Sequence, residues 1–265
     1  RPAGTAILPR FGYVEVVHEP RVTRPGFGHS TLRRFVTVNP ELLIGPPATV
    51  APALLGWEVS AGPVRVRLTE VEAYAGQGED PASHAHRGRT PRNAVMFGQP
   101  GLVYAYFVFG VHWCLNIVCG PEGTAAAVLL RAGAVIAGTD VARLRRGGGA
   151  PGGAPGGTPG GVAEVELARG PARLAVALGL GGEANGTCAI DDTGPLRLTP
   201  PMLPVDPTAV VAGPRVGITR AVDRPWRFWI AGEPTVSRYR RADPNSGQRQ
   251  NRVRARPRDE GQSPT

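Results

Sequence analysis

The longest apolar run in the chain, Leu102 to Gly120, is interrupted by His112 and Asn116 and is dense in aromatic and β-branched residues. That texture favours buried strands over a membrane-spanning helix. Gly110-Val111 in its middle allows the chain to reverse, so the run predicts a β-hairpin of Leu102–Phe109 and His112–Val118. Upstream, Val64-Arg65-Val66-Arg67-Leu68-Thr69 alternates with period two, the mark of a half-buried strand. It runs on into Glu70-Val71-Glu72-Ala73-Tyr74, where carboxylates enter a strand that began apolar. An acidic strand end and an aromatic hairpin together suggest an acid/base group facing a stacking box for a flat ring, such as a nucleobase.

The remaining segments are shorter. Gly76–Pro100 is rich in Gly, Pro, His, Arg and Asn and reads as a long functional loop. A third apolar run, Ala125–Leu130, ends at Arg131, and Thr139–Arg146 reads as a short basic helix. Gly147 to Gly161 is a Gly/Pro stretch that cannot pack a core, and it is expected to be a flexible loop within one domain. Glu164–Leu180 reads as helix restarted at Gly170-Pro171, and Thr187–Leu198 as a strand pair turning at Asp192-Thr193-Gly194. Arg215–Ile218 and Trp226–Ile230 are the last expected strands. Residues 1–38 read as a loosely ordered arm, 39–240 as the single domain, and 241–265 as a disordered Arg-rich tail.

Composition narrows the chemistry. The formal net charge is +9, which favours polyanionic partners, nucleic acid before anionic membrane. All 30 basic residues of the Lys/Arg class are Arg, and without Lys no Schiff-base lyase step is available from a lysine side chain. The three cysteines form no CxxC pair, which argues against zinc, iron–sulfur and disulfide frameworks. A reducing cytoplasm is the expected compartment, and no apolar signal segment is visible in the first thirty residues.

Several side chains stand out. Counting in twos from Val64 puts both Glu70 and Glu72 on the face that was apolar, provided that the strand carries no bulge. A carboxylate there would be poorly solvated and suited to general-base work; the spacing does not separate the two. Phe109, at the expected hairpin tip, either folds back onto the sheet or serves as a wedge in a base stack. Tyr74 and Tyr106 are candidate walls of a ring slot, or core. Asn116 is either bonded to backbone or reads a base edge. Glu79, Asp80, His84 and His86 resemble metal ligands superficially, but lie on a loop without ligand spacing, so no metal site is expected. Arg131 is a partner for a carboxylate, Glu72 in the simplest pairing, or a phosphate contact.

From about Leu54 to Tyr239 the chain resembles the alkyladenine (3-methyladenine) DNA glycosylase family. The resemblance rests on Glu72-Ala73-Tyr74, Glu79-Asp80-Pro81-Ala82-Ser83-His84, Thr90-Pro91-Arg92-Asn93 and Met96-Phe97. It continues through Pro100–Tyr106, Phe109-Gly110, Cys114-Leu115-Asn116, Val128–Ala132, Gly170-Pro171, Arg215-Val216-Gly217 and Trp226-Arg227-Phe228. It implies a mixed α/β (α+β) fold, a single compact domain on a curved, largely antiparallel, open-barrel-like sheet with surrounding helices. By that similarity Glu72 would activate the hydrolytic water, with Arg131 and the main-chain carbonyl of Val216 holding it. Tyr74, His84 and Tyr106 would enclose a flipped base, Asn116 would disfavour a guanine amino group, and Phe109 would fill the gap in the duplex. The family's usual wedge is a tyrosine, so Phe109 departs from the pattern, as does His112 where an aromatic is frequent. The implied activity is hydrolysis of the N-glycosidic bond of a damaged purine in double-stranded DNA, leaving an abasic site without strand cleavage. It requires no metal or nucleotide cofactor, membrane or obligate protein partner, and suits a monomer. The rivals are a non-catalytic damage-binding protein and an RNA-binding module; no RNP-like pattern supports the latter.

Overall fold

Period-two alternation governs the architecture, and the computed structural model describes residues 38–242 apart from 109, 150–161 and 192. Eight strands form one sheet: β1 (Glu58–Ala61), β2 (Val64–Tyr74), β3 (Val103–Val108), β4 (His112–Val118), β5 (Ala127–Ala137), β6 (Arg197–Thr199), β7 (Val210–Gly213) and β8 (Arg227–Ile230). The main order is β3-β4-β5-β2-β1-β6, with β8 joining β2 to β7, and every pairing is antiparallel. The second edge of β2 is divided: β1 takes Val64–Arg67, and β8 takes Glu70–Glu72. One strand serving two neighbours in succession opens and curves the sheet there. This is the α+β sheet domain that the resemblance implies.

Each long strand presents one face to the core. Val103 and Ala105 of β3, Leu115 and Ile117 of β4, and Val128 and Leu130 of β5 are buried there. Two short helices cover them, α1 (Pro47–Ala53) and α3 (Pro171–Leu178). Proline at the first helical turn, with φ already set for a helix, starts both. The α3 helix stops at Gly179, whose φ of 68° is left-handed, and it buries Leu174, Ala175, Ala177 and Leu178 against the sheet. The intervening residues, Tyr104, Tyr106, Cys114, Asn116, Leu129 and Arg131, point to the other face.

On β2 the alternation changes phase. Val64, Val66 and Leu68 enter the core, and so do Val71 and Ala73. The pairing with β5 runs Leu68↔Gly133, Glu70↔Ala132, Val71↔Leu130, so Thr69 and then Arg131 are passed over and the register is restored. These irregularities move Glu70 and Glu72 off the apolar face expected by counting in twos and onto the opposite one. Both are nevertheless fully buried, under other parts of the chain.

The expected hairpin is present as β3 and β4, with Gly110 at φ 73° in its turn. The Gly76–Pro100 loop is a series of turns with one 3-10 turn, Ala94–Phe97. Other expectations are corrected. The β5 strand does not end at Arg131 but continues to Ala137. Only Pro171–Leu178 of the expected 164–180 helix is α-helical, with a 3-10 turn at Glu164–Glu166. Of the expected pair in 187–198, Cys188 makes an isolated bridge to Leu102, and β6 begins at Arg197. Arg215–Ile218 is irregular, because the Val216 and Gly217 amides bond to a side chain and to the Arg240 carbonyl instead of to a neighbouring strand. The helix at 139 is α2 (Thr139–Leu144), prolonged by a π turn through Gly149 into the expected Gly/Pro loop. The rest of that loop, the arm before Val38 and the tail beyond Ala242 lie outside the described residues. Among those described, no helix is long and apolar enough to cross a membrane.

Candidate active site

A cavity of about 770 Å³ opens between the outer face of the sheet, the loop after β2 and the 216–220 segment. Its size falls within the range of small-molecule sites, which run from roughly 300 to 1,000 Å³. Glu72 lines it and Glu70 does not, although the two are equally buried. Glu70 is saturated: its Oε1 accepts from Arg227 Nε at 2.6 Å, Arg131 Nε at 2.8 Å and Ser237 Oγ at 3.0 Å, while its Oε2 accepts from the Ser237 amide at 2.7 Å. Glu72 is held more lightly. The Val216 amide donates to Oε1 at 2.7 Å, the Tyr74 hydroxyl donates to Oε2 at 2.8 Å, and Arg131 Nε lies 3.5 Å from Oε1. Arg131 therefore bonds primarily to Glu70, not to Glu72 as the simplest pairing had it. Burial would lower the Arg131 pKa, but Glu72 and Glu70 outweigh it and raise it, so the guanidinium is a permanent cation beside both carboxylates.

The walls are aromatic. His84 packs edge-on against Tyr106, with ring centroids 4.6 Å apart, and shares a 3.0 Å hydrogen bond between Nδ1 and the Tyr104 hydroxyl. Tyr104 and Tyr106 stack at 5.5 Å. Burial, then the Glu72 charge, raises the pKa of Tyr74 well above its ordinary value; burial does the same for Tyr106 and pushes Tyr104 up to about 12. Partial desolvation among the rings, then the Arg92 charge, lowers the pKa of His84. The aromatic walls are thus uncharged at neutral pH, with Glu72 and Arg131 on the floor and the exposed Arg87 and Arg220 also lining the cavity.

Residues 41–234 match the model of the methylpurine-DNA glycosylase family. A protein of Frankia casuarinae is 51% identical over 201 residues, spanning 72% of this chain and 88% of the relative. One from Nocardia farcinica is 48% identical over 207 residues (76% and 91%), and one from Streptomyces avermitilis 48% identical over 211 residues (77% and 92%). Each of the three is provisionally named a 3-methyladenine DNA glycosylase. The chain belongs to the methylpurine-DNA glycosylase family. It is a DNA repair glycosylase, a hydrolase of N-glycosidic bonds whose substrate is DNA.

Seven of the residues expected from the glycosylase resemblance, Glu72, Tyr74, His84, Tyr106, Asn116, Arg131 and Val216, line this one cavity. Asn116 donates from Nδ2 to the Tyr104 carbonyl at 2.9 Å, and no protein donor among the described residues meets its Oδ1. Phe109 lies outside the described residues. Val216 contributes its amide to Glu72, a contact that the sequence did not suggest. Three further residues are given no role in the site by the sequence: Tyr104 and Arg215, named only within motifs, and Asp80, named only as a superficial metal ligand. Asp80 is no ligand candidate, because Arg215 grips both its oxygens, at 2.6 and 2.8 Å. Burial alone would raise the Asp80 carboxyl, but that guanidinium and the amides of Ala82 and Ala75 hold it below the usual aspartate range. A buried acid in a loop otherwise rich in polar residues was the available clue, but its partner lies 135 residues away.

Proposed function

We propose that this glycosylase flips an alkylated or deaminated purine out of duplex DNA into the cavity and hydrolyses its bond to the sugar, leaving an abasic site and an intact strand. The observation that carries this reading is the contrast on β2: Glu70 is saturated, and Glu72 lines a ring-walled cavity with lighter bonding. A flipped nucleotide exposes the glycosidic bond at a cost of a few kcal/mol, least for damaged or mispaired bases. Tyr74, His84 and Tyr106 form the slot for the base. Asn116 is anchored to the Tyr104 carbonyl, and its role in this reading is to disfavour a guanine amino group.

As the C1′–N bond breaks, its electron pair leaves with the base and the sugar becomes oxocarbenium-like. A cationic alkylated base departs neutral, and it stacks well on electron-rich rings beforehand; an uncharged deaminated base departs as an anion and takes up one proton, which balances the proton removed from the attacking water. Glu72 stabilises the developing positive sugar and takes a proton from the water whose oxygen bonds to C1′. Arg131 and the Val216 carbonyl hold that water, and the Val216 amide aims the carboxylate. The aromatic at position 109 serves as the wedge, with stacking but no hydroxyl contact. The enzyme acts as a cytoplasmic monomer, and the exposed Arg87 and Arg220 at the cavity contribute phosphate contacts.

The test is release of free base from duplexes carrying ethenoadenine, hypoxanthine or 3-methyladenine, with Glu72→Gln alongside. Wild type should release base from at least one of them, and Glu72→Gln should bind lesion duplex without releasing it. Tight lesion binding by wild type with no release from any of them would instead establish a damage reader.

A further inference from the structure

Asp80 and Arg215 form an ion pair in which neither side chain reaches solvent. Neither lines the cavity. Arg215 Nη1 and Nη2 each donate to one oxygen of Asp80, and Nη1 also donates at 2.9 Å to the Ala73 carbonyl, between Glu72 and Tyr74. The guanidinium carbon lies 4.6 Å from the centroid of the Tyr74 ring and 5.3 Å from that of Trp226, and its Nε is buried with no partner among the described residues. Asp80 in turn accepts from the Ala75 and Ala82 amides, which fixes the start of the loop that carries His84.

A buried pair of this kind is poorly explained as a stabilising device, since apolar replacements of similar volume are frequently as stable or more so. What apolar side chains cannot supply is direction. A two-pronged guanidinium–carboxylate contact fixes a plane as well as a distance. Here that plane is locked to the backbone next to Glu72 and lies against the Tyr74 ring. The residue that follows Arg215 is Val216, whose amide reaches Glu72 Oε1 at 2.7 Å. The end of β2 and the loop that follows it are joined at this pair to the 214–220 segment, which is remote in sequence.

We infer that the Asp80–Arg215 pair is a positioning unit for the hydrolytic step, setting both the Val216 amide and the Tyr74 ring against Glu72. The inference rests on the reading of Glu72 as the general base. Arg215 acts through its neighbours and touches neither base nor sugar, so its loss should depress turnover more than lesion binding.

The experiment compares single-turnover release of ethenoadenine, and affinity for the same duplex, in wild type, Arg215→Lys and the double variant Asp80→Asn/Arg215→Gln. Lysine keeps the charge that Asp80 needs but lacks the fork; the double variant removes both charges together, so neither is left unpaired. Both should lower the single-turnover rate by about ten- to a hundredfold, the scale of a sub-ångström to ångström misplacement. Lesion affinity should change by less than about threefold, well below the change in rate, because Tyr106 and Asn116, which the pair does not touch, still hold the base. Wild-type rates in either folded variant would overturn the inference. So would rate, affinity and melting temperature falling in parallel, which would mark a purely structural pair. Absence of release by wild type from every lesion duplex would instead remove the reading of Glu72, and it is seen before any variant is compared.

Discussion

Glu70 and Glu72 are two residues apart on one strand, both fully buried and both within reach of Arg131, yet their surroundings differ, and the proposed mechanism gives them opposite work. Around Glu70 the chain has spent four donors from three elements, closing β5, β8 and the 237 segment onto one carboxylate. Around Glu72 there are an amide, a phenol and open space. Burial alone therefore says little about the role of a charged residue. The number of donors already committed, and whether a cavity meets the remaining lone pairs, separates a structural anion from a chemical one.

That contrast can be broken by paired substitutions. The largest expected effect is on activity in Glu72→Gln: roughly a 10²- to 10⁴-fold loss of single-turnover base release, the range of general-base catalysis, with little change in melting. Glu70→Gln should behave in the reverse sense. It leaves Arg131 and Arg227 buried around a neutral amide, and chemical denaturation should show a loss of about 3–5 kcal/mol. If Glu70→Gln proved as stable as wild type and lost release alone, the division of labour would be wrong.

Tyr74→Phe makes a finer cut. It removes the hydroxyl that donates to Glu72 Oε2 but keeps the ring, so release should fall by about tenfold, in line with a hydrogen bond to a charged group. Lesion affinity should hold. The smallest expected effect is on the acid limb of stability. The Asp80 carboxyl is depressed in the folded protein, so its pairing is fully stabilising above the ordinary aspartate value of about 3.9. That contribution is lost as pH falls through the lower folded value. Melting of Asp80→Asn should therefore start lower at neutral pH and fall less steeply in acid than wild type; identical slopes would remove Asp80 from the list of linked groups.

The strands with strong alternation were legible without any structure. So was the hairpin of β3 and β4, because an apolar aromatic run with a glycine at its midpoint has few other ways to be buried. The first half of β2 followed from its Val/Arg alternation and its continuation was expected too, but not the face that the continuation presents, because the shift at Thr69 leaves no mark in the residue pattern. Short strands such as β7 carry too few residues for periodicity to show. Arg215–Ile218 looked like a strand because its residues are β-favouring, but its amides are committed to Glu72 and Arg240.

By itself the sequence determined the long strands, the hairpin and, through its ordered motifs, the family and a set of candidate site residues. The resemblance selected Glu72, which residue spacing could not; only the tertiary structure decided which carboxylate Arg131 serves, and that Asp80 and Arg215 belong together. The physical reason is range. Alternation and turn chemistry act over a few neighbours along the chain, whereas the partners of Glu70, Glu72 and Asp80 lie between 59 (Arg131 from Glu72) and 167 residues away, apart from Tyr74 and the loop amides beside Asp80. Contacts over such separations are set by how the sheet curves and where its register shifts, and those are properties of the packed whole.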